Sequence, residues 1–204
     1  MRDWVLFDYG GVLCTDQPAA DRRALLTAAG LDPDDGQRAD RFWAGYWRLR
    51  VPYDRSAMDS AEYWTRLLGR PPEPATLREL SEIDVASWCH PYEATLRLVT
   101  ELADRGTGLA LLSNCPPALA AAIDSMSWTD LVRHRFYSCR LGRTKPDPGS
   151  YRAVLAELAA DPAGVTFVDD RPANVTGAEE VGMRALLFTD PATLAADLDL
   201  EGET

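Results

Sequence analysis

The chain has 204 residues, 46% apolar and 26% charged, with a formal net charge of −11 and a pI near 4.6. This is the composition of an ordinary globular protein of one domain, or of one domain carrying an insertion, long enough to bury a real core. The acidic balance argues against nucleic acid or an anionic membrane as the main partner. No apolar run approaches the roughly 18 residues of a membrane span, and no apolar signal segment opens the chain.

The first element is an apolar strand, Trp4-Val5-Leu6-Phe7, which runs into Asp8 and the glycine turn Tyr9-Gly10-Gly11. From there the pattern turns helical. Helices are predicted at 21–30, 40–50, 60–68 and 74–88, the third opened by the capping-box sequence Asp59-Ser60-Ala61-Glu62 and closed by Gly69. With no strand among them, residues 17–89 are expected to form a small all-helical insertion, and 1–16 with 90–204 the α/β core. Strand–helix alternation then begins. A helix at 92–105 precedes a strand at 109–112. A helix at 117–126 precedes a short strand at 134–139. A helix at 148–160 precedes a strand at 165–168, and a helix at 173–181 precedes the last strand at 184–188. Such alternation implies a Rossmann-like three-layer fold with a central parallel sheet covered on both faces. The acidic end, 197–204, reads as a frayed tail.

Chemistry gathers at the strand ends. Open α/β sheets bind ligands beyond the carboxyl ends of their strands, and three apolar strands here deliver Asp8, Ser113-Asn114 and Asp169-Asp170. Asp8 reads either as a helix cap or as a carboxylate nucleophile for phosphoryl transfer. Two adjacent carboxylates repel each other, and a Mg²⁺ ion, which takes one or two carboxylates plus water and phosphate oxygens, relieves that repulsion. Ser113 reads as a helix cap or as a donor to phosphate oxygens beside a helix N-terminus. Lys145, in the proline-stiffened Lys145-Pro146-Asp147-Pro148, is a solvated charge or the cation that neutralises the transferring group. The four cysteines, Cys14, Cys89, Cys115 and Cys139, form no C-x-x-C pair and read as reduced, buried thiols of a cytoplasmic protein.

Taken together, Asp8 after its strand, Leu112-Ser113-Asn114, Lys145-Pro146 and Val168-Asp169-Asp170 with Asn174 resemble the four motifs of the haloacid dehalogenase superfamily, in its phosphatase branch. The helical stretch falls where that family carries a helical cap. The resemblance implies that Asp8 is the nucleophile, that Ser113 and Asn114 contact the phosphoryl group, and that Lys145 screens its charge. It further implies that Mg²⁺ is held by Asp8, the Gly10 carbonyl and Asp170, with Asp169 acting through water and Asn174 supporting the loop from behind. The substrate would be a small phosphorylated metabolite, such as a sugar phosphate, met by Tyr46, Trp47 and Arg50 of the cap.

One position departs from the pattern. The family's first motif is usually D-x-D, and its second Asp is the general acid and base; here that position is Gly10. Such groups contribute roughly 10²–10⁴-fold, so slow hydrolysis is expected. Three alternatives stay open: an impaired relative that binds a phosphorylated ligand or a protein partner, a dehalogenase, and a phosphotransferase.

Overall fold

A computed structural model of the protein describes residues 3–200. Strands β1 (Trp4–Phe7), β2 (Gly108–Ser113), β3 (His134–Tyr137), β4 (Val165–Asp169) and β5 (Arg184–Leu187) form a parallel sheet in the order β3-β2-β1-β4-β5. The apolar runs alternate faces, as strands must. Leu6, Ala110, Leu112 and Phe167 pack with Tyr151, Val154 and Ala178 on one side. Val5, Phe7, Leu109, Leu111 and Val168 pack with Val99, Leu102, Leu119 and Leu194 on the other. Helices α8 (Pro148–Leu158) and α9 (Pro172–Glu179) therefore cover the first face, and α5 (Glu93–Asp104), α6 (Pro117–Asp124) and α10 (Pro191–Asp197) the second.

Register places the site. Phe7 lies opposite Leu111 on one flank and Val168 on the other, so the residues that follow all three strands emerge at one edge.

Between β1 and α5 come α1 (Ala19–Ala28), α2 (Gly36–Asp54), α3 (Ser60–Leu68) and α4 (Pro74–Ser87). They share their own apolar cluster, in which Leu25, Tyr46, Tyr63, Trp64 and Leu80 are fully buried. Each such side chain contributes about 1.5–3 kcal/mol. The Asp59 carboxylate accepts from Glu62 N–H at 2.8 Å, and Gly69 closes α3 in the left-handed region at φ 71°. Helix α2 is longer than its apolar spacing suggested. Asp35 caps it early, and it runs through Pro52, which cannot donate a helical hydrogen bond, to end two residues later at Asp54.

Two expectations fail at the edges. The strand predicted to reach Cys139 stops at Tyr137, because Ser138–Leu141 turn into a short helix, α7, closed by Gly142 at φ 67°. The tail predicted to fray from Asp197 is docked up to Leu200. Asp190 caps α10 through the amides of Ala192 and Thr193, and Leu194 and Leu200 enter the core. Residues 201–204 of that tail lie outside the described ones. No described helix is long and apolar enough to cross a membrane.

Candidate active site

At the sheet edge a cleft of about 420 Å³ opens between the strand ends and the C-terminal parts of α2 and α4. Asp8, Gly10, Ser113, Asn114, Lys145, Asp170 and Asn174 line one side, and Trp47, Arg50, Val51, Asp54 and Trp88 the other.

The floor is a chain of buried charges. Lys145 Nζ sits 2.7 Å from Asp8 Oδ1 and 2.7 Å from Asp169 Oδ2, its side chain 1% exposed. Burial works against that ammonium, but the Asp169 and Asp8 carboxylates outweigh it and hold its pKa above the ordinary lysine value. Burial, then the Asp169 charge, push the Asp8 pKa up to about 7, with Lys145 and the Tyr9 amide (2.6 Å from Oδ1) pulling the other way. Asn114 fixes the lysine from behind: its Nδ2 donates to the Lys145 carbonyl at 3.0 Å, and its Oδ1 accepts from the Lys145 amide at 2.9 Å. The Asn114 side chain is thus spent on positioning Lys145, while the residue itself lines the cleft.

Asp169 is fully occupied as well. Its oxygens accept from Lys145 Nζ, from Asn174 Nδ2 at 3.0 Å to each, and from the Arg171 amide at 2.9 Å. Asp169 anchors the lysine and Asn174 and is itself fully buried. Asp170 differs. It is half-buried, its Oδ1 is buried without a hydrogen-bond partner, and burial, then Asp169, raise its pKa. Oxygens of Asp8, Asp169 and Asp170 lie within 4.8 Å of one another. Three carboxylates against one ammonium, with an orphaned oxygen facing them, make a donor set that fits a divalent cation.

Both glycines of the turn have structural reasons. Gly11 has φ 77°, and a Cβ there would lie 2.7 Å from Asp170 Oδ2, so only glycine lets Asp170 close on the site. At Gly10 a Cβ would lie 3.3 Å from Trp88 Cζ3, a tight contact with the indole at the end of α4.

Of the aromatic and basic residues expected to meet substrate, Trp47 and Arg50 line the cleft and Tyr46 does not. Tyr46 is fully buried behind them, its hydroxyl donating to Asp84 at 2.5 Å and accepting from Arg50 and Trp88. Cys14 is turned away, its thiol donating to the Trp88 carbonyl at 3.0 Å and raised to about 11 by burial. His90 is held by Asp21 at 2.6 Å, outside the cleft. Asp54 and Arg171 entered the site without being expected. Asp54 and Arg171 are single charges in unremarkable local sequence, and only chain packing brings them here.

A family model described as haloacid dehalogenase-like hydrolase matches residues 3–182. The chain belongs to that family. As a haloacid dehalogenase-like hydrolase it is 44% identical over 73 residues to flavin mononucleotide hydrolase 1 of Arabidopsis thaliana, covering 36% of this chain and 27% of that protein. It is 28% identical over 196 residues to sesquiterpene phosphatase AstK of Aspergillus oryzae, covering 95% of this chain and 93% of that one. An HAD family enzyme of Bacteroides thetaiotaomicron, crystallised with magnesium and inorganic phosphate, shares the fold with a TM-score of 0.69 and 16% identity, over 93% and 95% of the two chains. The protein is thus a hydrolase of this family with phosphatases among its relatives.

Proposed function

We propose that the protein is a Mg²⁺-dependent phosphomonoester hydrolase working through an aspartyl-phosphate on Asp8. The observation that carries this is the Asp8–Lys145–Asp169 array, which aims a buried carboxylate and one ammonium into a cleft beside the orphaned oxygen of Asp170. Asp8, the Gly10 carbonyl and Asp170 would hold the cation, which would supply charge neutralisation at the phosphoryl oxygens. Asp8 attacks phosphorus in line with the leaving oxygen. Ser113 at the β2 end donates to a phosphoryl oxygen, and Lys145 spreads positive charge over the group in transfer. Helices α1–α4, taken as a cap over residues 17–89, exclude water and meet the leaving group.

The leaving-group side is apolar with a cationic rim. Trp47 and Val51 are 41% and 53% exposed, and the Arg171 guanidinium stacks 5.6 Å from the Trp47 ring centre. This suits a small phosphate ester whose alcohol carries a planar or apolar part, in keeping with relatives named for flavin mononucleotide and sesquiterpene phosphates. Four free thiols suit a reducing compartment. The first motif brings no proton donor of its own, so on that motif alone alkyl esters turn over slowly.

The test is release of inorganic phosphate from aryl, sugar and isoprenoid monophosphates with Mg²⁺ and with chelator. Turnover that needs Mg²⁺ and disappears in Asp8→Asn supports the reading. Full activity in chelator, or binding of these esters without any phosphate release, overturns it.

A further inference from the structure

Position 10 is a glycine and lacks the acid, so any proton for the leaving oxygen must come from another side chain of the cleft. The cleft offers few. Asp8 and Asp170 belong to the nucleophile and cation, Asp16 is exposed to water, and the Tyr9 hydroxyl is donated to the Trp88 carbonyl at 2.6 Å. Lys145 and Arg50 are held by carboxylates. Asp54 remains.

We propose that Asp54, at the last turn of α2, is the general acid and base of the reaction in place of the residue missing at position 10. Its setting supports the role in three ways. Asp54 is 7% exposed yet lines the cleft. The Arg50 guanidinium must serve two carboxylates: Asp84 takes its Nη1 at 3.0 Å, while Nε lies 2.9 Å from Asp54 Oδ1 without being directed at it. Asp84 has a second donor in the Tyr46 hydroxyl; Asp54 Oδ1 has no hydrogen-bond partner. One cation between two buried carboxylates leaves one of them best kept as the neutral acid.

The backbone also locates it. Ser138 Oγ donates to the Asp54 carbonyl at 2.6 Å and accepts from the Cys115 amide at 3.0 Å, tying the end of α2 to the loop that carries Ser113 and Asn114. Burial, with Asp84 adding to it and Arg50 and Arg171 opposing, pushes the Asp54 pKa up to about 7. Those are the charged groups facing it, from α2, α4 and the loop before α9.

In the first step Asp8 Oδ bonds to phosphorus, the bond from phosphorus to the ester oxygen breaks, and the Asp54 carboxyl proton passes to that oxygen to release the alcohol. In the second, the Asp54 carboxylate takes a proton from water as the water oxygen bonds to phosphorus. The bond from phosphorus to Asp8 breaks, inorganic phosphate leaves, and both side chains return to their starting states.

The assignment rests on the phosphatase reading. Its test is the first-turnover release of 4-nitrophenol and of an alkyl alcohol from their phosphates by wild type, Asp54→Asn and Asp84→Asn. The ratio of the two rates within one preparation is independent of how much protein is folded. In Asp54→Asn the nitrophenol burst is expected near the wild-type rate, because that leaving group needs no proton. Alkyl release falls roughly 10²–10⁴-fold, and the decline of the alkyl rate as pH rises through about 7 is lost. Asp84→Asn, which disturbs the same guanidinium outside the cleft, keeps the wild-type ratio. Equal losses on both esters, no loss on either, or an Asp84→Asn ratio shifted as far as that of Asp54→Asn overturns the Asp54 assignment alone. A wild type that releases neither alcohol overturns the phosphatase reading and this assignment with it.

Discussion

Two buried ionic clusters face each other across the cleft, and they are satisfied to different degrees. On the sheet side, Lys145 lies between Asp8 and Asp169, and both Asp169 oxygens and both Asn114 side-chain atoms are engaged. On the helical side, Arg50 is shared by Asp54 and Asp84, with Arg50 Nε and Asp54 Oδ1 left without a hydrogen bond. The met hydrogen bonds of Lys145, Asp169 and Asn114 hold geometry, whereas a buried carboxylate with an unpaired oxygen, Asp170 on the sheet side and Asp54 on the helical side, is left to take a cation or a proton. Burial by itself does not mark a reacting group; an unmet hydrogen bond on a buried carboxylate does.

The largest effect that separates the two sides is expected from Asp8→Asn. Phosphate release falls to the uncatalysed background while the fold is kept, since Asp169 still pairs with Lys145. Residual turnover well above background would move the nucleophile elsewhere.

Next come the two cations. Lys145→Met strands Asp8 and Asp169, and Arg50→Met strands Asp54 and Asp84, each at about 3–5 kcal/mol of stability in urea unfolding. The comparison predicts that the Arg50 variant recovers part of its loss when Asp54→Asn is added, because the surplus charge goes with it. No recovery would show that the helical cluster is as tightly specified as the sheet-side one.

Restoring an acid at position 10 probes the boundary between the clusters. A Cβ at Gly10 meets Trp88 at 3.3 Å, so Gly10→Asp is expected to cost about 1–3 kcal/mol by crowding. It should bring little gain on alkyl phosphates unless Trp88 is shortened as well. A single variant that is both as stable as wild type and faster would show that the indole moves aside freely.

The smallest expected effect is from Gly11→Ala, roughly 1–2 kcal/mol for its left-handed backbone at φ 77°. Its added methyl also displaces Asp170, so Mg²⁺ affinity, read by calorimetry, drops by more than the stability change alone implies.

Much of the sheet side was legible in the chain. A buried strand must be apolar, so an ionisable residue at its end stands out against it: Asp8, Ser113 and Asp169-Asp170 each follow such a run, and parallel pairing carries them to one edge. The four helices between β1 and α5 were legible from apolar spacing, with errors at their ends, as where the Asp35 side chain caps α2 early; the Asp190 cap of α10 was missed in the same way. The division of labour within the site was not. That Asn114 serves Lys145, that Asp169 is fully hydrogen-bonded while Asp170 keeps an unpartnered buried oxygen, and that Tyr46 lies behind Trp88 depend on side-chain directions that no local pattern encodes.

Asp54 shows the limit most plainly. On α2 it is one charge among several, four residues after Arg50. The apolar spacing stops that helix at Arg50, short of Asp54. Its burial at the cleft, short of a hydrogen-bond partner and opposite Asp8, is decided by the docking of α2 on Ser138 and by Asp84 arriving from α4. Strand ends announce their chemistry because the sheet's own apolar pattern frames them; a helix residue gains its chemistry only from what packs against it.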